Sequence, residues 1–203
     1  MQFEREKQKE GYEIIAGIDE AGRGPIAGPV VAGAVILPFS FSHKEITDSK
    51  KVSEKKRDEF YEIITSEALY WSVGIAEPKE IDEINILRAT HKAMRLAIEN
   101  LGIMPEIALV DGLPVKGLPC FHQAIVKGDS LVKSISCASI IAKVTRDRIM
   151  IEYDKIYPQY GFGKHKGYGT KAHIDAIKKY GVCPIHRVSF EPIFSMEHRL
   201  ELF

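Results

Sequence analysis

The sequence predicts an α/β fold: a mixed sheet with helices on both faces and a small helical part at the C-terminal end. Short apolar runs rich in β-branched residues recur along the chain, and helix-period stretches separate the later ones. The first runs follow one another without an intervening helix, so one part of the sheet is a meander and the rest alternates strand with helix. With 203 residues, 45% hydrophobic and 28% charged, the chain has the balance of a globular domain rather than a disordered or membrane-spanning one.

The elements follow in order. Residues 12–18 (YEIIAGI) and 29–37 (PVVAGAVIL) read as strands, the second with small residues suited to close packing. "TDSKKVSEKK" turns the chain, and Ser53 is placed to cap a helix over 54–67. "ALYWSVGIA" (68–76) is the third strand, with Trp71 expected in the core. Pro78 suits a helix first turn, and a helix over 85–100 sets Ile86, Ala89, Ala93, Leu96 and Ala97 on one face. "EIALVD" (106–111) and "CFHQAIV" (120–126) are short strands. One long helix is expected over 130–154, then a glycine-rich basic loop (161–170) and a helix over 171–180. The predicted division is a core over about 12–157 and a basic C-terminal part over about 158–203, within one catalytic domain.

The N-terminus MQFEREKQKE lacks the apolar centre of a signal peptide, and the longest apolar run is far short of the ~20 residues that span a bilayer. Cys120, Cys137 and Cys183 have no C-x-x-C spacing, which predicts free thiols in a reducing cytoplasm. The zero net charge hides an asymmetry: residues 1–115 hold 20 acids and 14 bases, residues 116–203 hold 8 and 14. Residues 155–187 carry seven Lys/Arg against one acid, with three histidines, which points to a polyanion partner or a solvated lysine-rich face.

Four acids sit where chemistry would place them. Asp19 and Glu20 follow "IIAGI", Asp111 follows "IALV", and Asp129 lies in "VKGDS" ahead of the long helix. Ligands collect at the C-terminal ends of parallel strands. Carboxylates drawn together repel unless protonated or bridged by a cation, and hard oxygen ligands suit Mg²⁺ or Mn²⁺. Two such ions ~3.5–4 Å apart can activate a water and stabilise a leaving oxygen. Each acid taken alone is also a reasonable turn or cap residue, Asp129 above all as an N-cap.

"EAGRGPIAG" is neither a Walker A loop nor a dinucleotide fingerprint. Its glycines permit close backbone approach, and Arg23 could reach a phosphate or a sugar hydroxyl. "GKHKGYGTKAH" offers Lys164, His165 and Lys166 for phosphates and Tyr168 for stacking. Lys143, Arg146 and Arg148 lie on the long helix, where Lys143 and Asp147 also have ion-pair spacing. His91 and His198 are expected at the surface.

"GIDEAGRGPIAGPVVAGAVIL", "TDSKK", "LVDG", "VKGDSLVKSISCASIIAKVTRDRIM" and "HKGYGTKAH", in this order over residues 14–190, resemble type 2 ribonuclease H, the bacterial ribonuclease HII family. The resemblance implies a ribonuclease H-like fold and metal-dependent hydrolysis of the RNA strand of RNA/DNA hybrids. It further implies incision 5′ to single ribonucleotides embedded in duplex DNA, leaving 3′-hydroxyl and 5′-phosphate ends. Asp19, Glu20, Asp111 and Asp129 match the family's catalytic and metal-holding acids, served by two Mg²⁺ or Mn²⁺ ions. Gly22, Arg23 and Gly24 match the motif that reads the ribose 2′-hydroxyl, and Tyr168 the tyrosine that stacks on the next sugar. Lys50, Arg146, Lys164 and Lys166 are the further expected substrate contacts, and a cytoplasmic monomer without membrane partners is expected. Two other readings remain open from residues alone: a deaminated-base repair nuclease of similar fold, and a non-catalytic nucleic-acid binder using the basic region.

Overall fold

A computed structural model describes residues 1–46 and 52–199. Five strands among the described residues form one sheet: β1 (Ile15–Ala21), β2 (Val30–Ile36), β3 (Tyr70–Ala76), β4 (Ile107–Asp111) and β5 (His122–Ile125). Their spatial order is β3-β2-β1-β4-β5. β1, β2 and β3 form the antiparallel meander, while β1, β4 and β5 run parallel. The helices are α1 (Gln2–Lys9), α2 (Glu54–Glu67), α3 (Pro78–Ile84), α4 (Ile86–Glu99), α5 (Gly128–Leu131), α6 (Lys133–Ile156), α7 (Phe162–His165), α8 (Lys171–Tyr180) and α9 (Ile193–Arg199). The Ser53 hydroxyl accepts the Lys56 N–H at the start of α2, and Pro78 opens α3, both as the sequence predicts.

Strand alternation divides the core. Ala16, Ile18, Ala108 and Val110 face α4, packing on Ala89, Ala93, Met94 and Ala97. On the opposite face Ile15, Ile107 and Leu109 meet Val132 and Ile135. There α6 presses directly on the sheet: a Cβ on Gly17 would lie 2.1 Å from the Ser134 carbonyl carbon, and one on Gly33 2.4 Å from the Ala138 oxygen. The small residues of β1 and β2 therefore set the distance between helix and sheet. By the same alternation, Asp19 and Asp111 belong to the α6 face.

Four features depart from the sequence reading. The expected single helix over 130–154 is broken at Val132, whose extended backbone (φ −116°, ψ 123°) separates α5 from α6. Trp71 is 38% exposed rather than core, because β3 is an edge strand; its ring meets Tyr61 edge-on at 6.0 Å. Helix α1 was not expected, having no apolar periodicity. Its buried Glu4 accepts the Ser134 N–H at 2.8 Å, placing a carboxylate at the α6 N-terminus. The C-terminal helix α9 was likewise unexpected, and Ile193 at its start is buried. It joins Tyr160, Phe162, Ile177 and Ile185 in a smaller core that also takes in Ile26, Ala27 and Met150. The C-terminal segment is thus fastened to the loop between β1 and β2.

Candidate active site

Parallel pairing of β1 with β4 sets Ile18 beside Val110, so Asp19 and Asp111 emerge next to each other at the strand ends. The tight turn after β5 brings α5 beneath them. Oxygen atoms of Asp19, Asp111 and Asp129 all lie within 4.8 Å of one another. The Asp129 N–H donates to Asp111 Oδ1 at 3.3 Å, and the Ser136 hydroxyl donates to the Asp129 carbonyl at 2.6 Å. Asp129 itself is not the N-cap: Lys127, in the left-handed region at φ 58°, takes that position, and Asp129 sits in the first turn.

Burial raises the Asp19 carboxyl well above the ordinary aspartate range, and the charges of Glu20 and Asp111 push the same way. Hydrogen bonds from Ser139 and from the Glu20 N–H (2.7 Å) oppose this only in part. Glu20 is also raised, mainly by burial, while Arg23 Nη1, 3.3 Å away, favours its charged form. Glu20 lines the same cleft but stands outside the three-acid cluster.

That cleft, about 300 Å³, is lined by Asp19, Glu20 and Asp111, by Gly22, Arg23 and Gly24, and by Tyr168. Tyr168 is half exposed, and its ring edge lies beside Gly24, 3.8 Å from where a Cβ would stand. Gly22 must be glycine: its φ is +94°, and a Cβ would fall 2.1 Å from Arg146 Nε. Four lining residues that the sequence reading left out of the site are Ala21, Arg57, Ser139 and Lys143. Ser139, Lys143 and Arg146 stand at i, i+4 and i+7 on α6, a shared-face spacing that was legible in the sequence.

Arg146 corrects an expectation. It is 1% exposed, and Nε, Nη2 and Nη1 donate to the carbonyls of Pro29 (2.9 Å), Ala27 (3.0 Å) and Lys166 (2.9 Å). Three of its five N–H donors tie the β1–β2 loop to the C-terminal segment, so this side chain, which also lines the cleft, is first of all a buried structural tie. Burial lowers it to about 10, still charged at neutral pH. Lys166 lies outside the cleft lining, its ammonium donating to the Gly163 carbonyl at 2.6 Å and facing Glu54 at 3.5 Å. Lys164 is exposed, also outside the cleft lining. Lys50 lies outside the described residues. Lys143 pairs with Asp147 at 2.6 Å, and Arg148 reaches Asp58 and Glu62 across to α2.

The histidines of the basic region are structural. The Cys183 N–H donates to His186 Nδ1 (2.8 Å), which leaves the proton of that ring on Nε2, facing His173 Nε2 at 3.0 Å. His173 Nδ1–H then donates to the Tyr168 carbonyl at 2.8 Å. Burial lowers both rings to about 4, so the relay is neutral at physiological pH. It ends on the backbone of the one aromatic residue in the cleft.

A family model described as ribonuclease HII matches residues 16–193. The chain belongs to the ribonuclease HII family. It is 56% identical over 192 residues to the ribonuclease HII of Acetivibrio thermocellus, covering 95% of this chain and 75% of that protein. With the Syntrophus aciditrophicus ribonuclease HII it shares 57% over 189 residues, covering 93% and 89%. The fold is similar to the crystal structure of ribonuclease H2 from Pyrococcus horikoshii, with a TM-score of 0.80 and 29% identity over 93% of this chain and 99% of that one. Ribonucleases HII are endonucleases that hydrolyse RNA in RNA/DNA hybrids and depend on divalent metal; this chain carries the matching acidic cluster. No helix among the described residues is long and apolar enough to cross a membrane.

Proposed function

We propose that this ribonuclease HII, besides cutting RNA in hybrids, incises 5′ to single ribonucleotides in duplex DNA, leaving 3′-hydroxyl and 5′-phosphate ends. The observation that carries this is the sharing of one cleft by the acid cluster, the Gly22–Gly24 backbone and Tyr168. A 2′-hydroxyl is what separates RNA from DNA at a given nucleotide, and a loop with two glycines lets backbone groups reach it. Tyr168 stands beside Gly24, where its ring can stack on the neighbouring sugar.

The acids fit divalent cations. Three carboxylates within 4.8 Å, one held far from its ordinary ionisation by burial and by its neighbours, need positive charge to coexist ionised. An all-oxygen set suits Mg²⁺ or Mn²⁺. Asp19, Asp111 and Asp129 would hold two ions, with Glu20 completing the set. Such ions supply a more acidic water and charge stabilisation at the leaving oxygen. The protein's own part is to hold the acids rigidly through Ser139 and the Glu20 and Asp129 N–H groups, and to seat the sugar beside them. Exposed Lys164, and Lys50 outside the described residues, are proposed to contact flanking phosphates, with the region after residue 158 bearing on the duplex. The enzyme is proposed to act as a monomer.

The test uses four matched duplexes: one with a single ribonucleotide, one with a deaminated base, one all-DNA and one RNA/DNA hybrid. Each is incubated with Mg²⁺, with Mn²⁺ and with chelator, and product lengths are mapped. The expected result is one metal-dependent cut, 5′ to the ribonucleotide. Cutting of long hybrids but not of the single-ribonucleotide duplex would overturn the proposal.

A further inference from the structure

Arg187 is among the most completely buried large side chains, 0% exposed, yet it lies on no catalytic element. Main-chain pairing brings it to the β1–β2 loop. The Gly28 N–H donates to the Ile185 carbonyl (2.8 Å), the Arg187 N–H donates to the Ile26 carbonyl (2.9 Å), and Ala27 and His186 form an antiparallel bridge. From there the guanidinium grips three carbonyls of the loop. Nη2 donates to Gly22 (2.6 Å) and Gly28 (2.7 Å), Nη1 to Arg23 (3.1 Å), and Nε also to Gly28 (2.9 Å). The Phe190 ring covers the guanidinium, 5.0 Å from its carbon to the ring centroid.

The consequence follows from the peptide unit. In a trans peptide the C=O and the next N–H point in opposite directions. With the carbonyls of Gly22 and Arg23 drawn inward to Arg187, the N–H groups of Arg23 and Gly24 are turned outward, toward the cleft that these residues line. Neither N–H donates to another group among the described residues. Two adjacent donors aimed one way suit an acceptor oxygen on the sugar. A deoxyribose would leave them unpaired.

We propose that Arg187 is a positioning residue for sugar discrimination, holding the Gly22–Arg23–Gly24 backbone so that its N–H pair meets a ribose and not a deoxyribose. This rests on the single-ribonucleotide reading above. The planar fork matters as much as the charge. A guanidinium spreads its donors over three nitrogens in one rigid plane, whereas an ammonium on a flexible stem donates from a single point.

The test measures binding in chelator, where no cleavage occurs, by fluorescence anisotropy. The probes are a single-ribonucleotide duplex and the all-DNA duplex of the same sequence. For Arg187→Lys the ratio of the two affinities is expected to fall about tenfold, with the all-DNA affinity held within about twofold. A residue with a merely structural role would weaken both probes together, and a parallel loss overturns the proposal, as does an unchanged ratio. If the unaltered protein binds both probes alike while cutting hybrids, the single-ribonucleotide reading itself fails, a distinct outcome.

Should Arg187→Lys not fold, Asp82→Ala decides. Asp82 on α3 accepts the Val188 and Ser189 N–H groups, each at 3.0 Å, and so anchors the segment just after Arg187 from outside the cleft. A partial loss of the ratio, about threefold, is expected from it. An Asp82→Ala protein that keeps the full ratio overturns the proposal.

Discussion

The acid floor and the glycine loop lie side by side in one cleft but are held in different ways. Asp19 and Asp111 are placed by the sheet: parallel register and side-chain alternation set them together at the ends of β1 and β4. The loop from Gly22 to Pro29 has no such frame. Its carbonyls are held by Arg146, more than a hundred residues on, and by Arg187, close to the C-terminal end. The acids pack against the central helix at some electrostatic cost, whereas the loop is stabilised by buried cations. Chemistry is therefore built into the sheet, and the placing of the glycine loop into contacts that α6 and the C-terminal segment provide.

Breaking the floor should have the largest effect on rate and the least on the fold. Asp19→Asn or Asp111→Asn is expected to reduce cleavage roughly 10³-fold or more, since the metal-holding charge is lost. Because the Asp19 carboxylate is raised by burial and by its acidic neighbours, Asp19→Asn should unfold in chelator no earlier than the unaltered protein. Calorimetry beside the cleavage assay checks this; a variant that cuts at full rate removes these acids from the mechanism.

A change at the seam between the two regions should be selective. Tyr168→Ala is expected to lose about tenfold or more on single-ribonucleotide duplexes and only a few-fold on long hybrids, the scale of one sugar or base contact. Rates on both substrates from one preparation settle it, and equal losses would deny Tyr168 a role at the junction.

A further effect is on stability with pH, where the C-terminal histidines act against the raised Asp19 and Glu20 carboxyls, which favour the folded state as pH falls. His173 and His186 titrate near 4 in the folded protein and near 6.5 unfolded. Their folded values are lowered, so the unfolded state binds more protons between the two. The stabilisation is complete above about pH 6.5 and is lost as pH falls toward 4. Going from pH 7 to 5 should cost about 3 kcal/mol, a fall in melting temperature of roughly 6–12 °C. Melting curves across this window check it, and replacing both histidines with Gln should flatten the slope.

Local pattern made much of this molecule legible. The strand-forming runs, the Ser53 cap, Pro78 at a helix start and the apolar face of α4 each depend on neighbours within a turn or two; the two helix starts appear as read, while β1 runs on through Asp19 and Glu20 to Ala21, and α4 buries Met94 and Ile98 beside Ala89, Ala93 and Ala97. The acids were legible for the same reason: a carboxylate at the end of a buried strand announces itself by contrast. Arg146 was not. On a helix among Lys143 and Arg148 it reads as one more surface base, and only the folded chain shows it on the carbonyls of Ala27, Pro29 and Lys166, as Arg187 is on those of Gly22, Arg23 and Gly28. Two of the three histidines of the basic region, His173 and His186, misled in the same way, since a neutral buried relay and a polyanion-binding cluster have the same composition.

What the sequence determined by itself, then, was the five strands and the main helices between them, the metal-fitting acids and the family resemblance, because these are encoded in short spacings and residue chemistry. What only the tertiary structure decided was which cations face a substrate and which face the protein. That choice depends on the burial of a few side chains by segments over a hundred residues away, and a guanidinium surrounded by backbone carbonyls carries no mark of it in the chain.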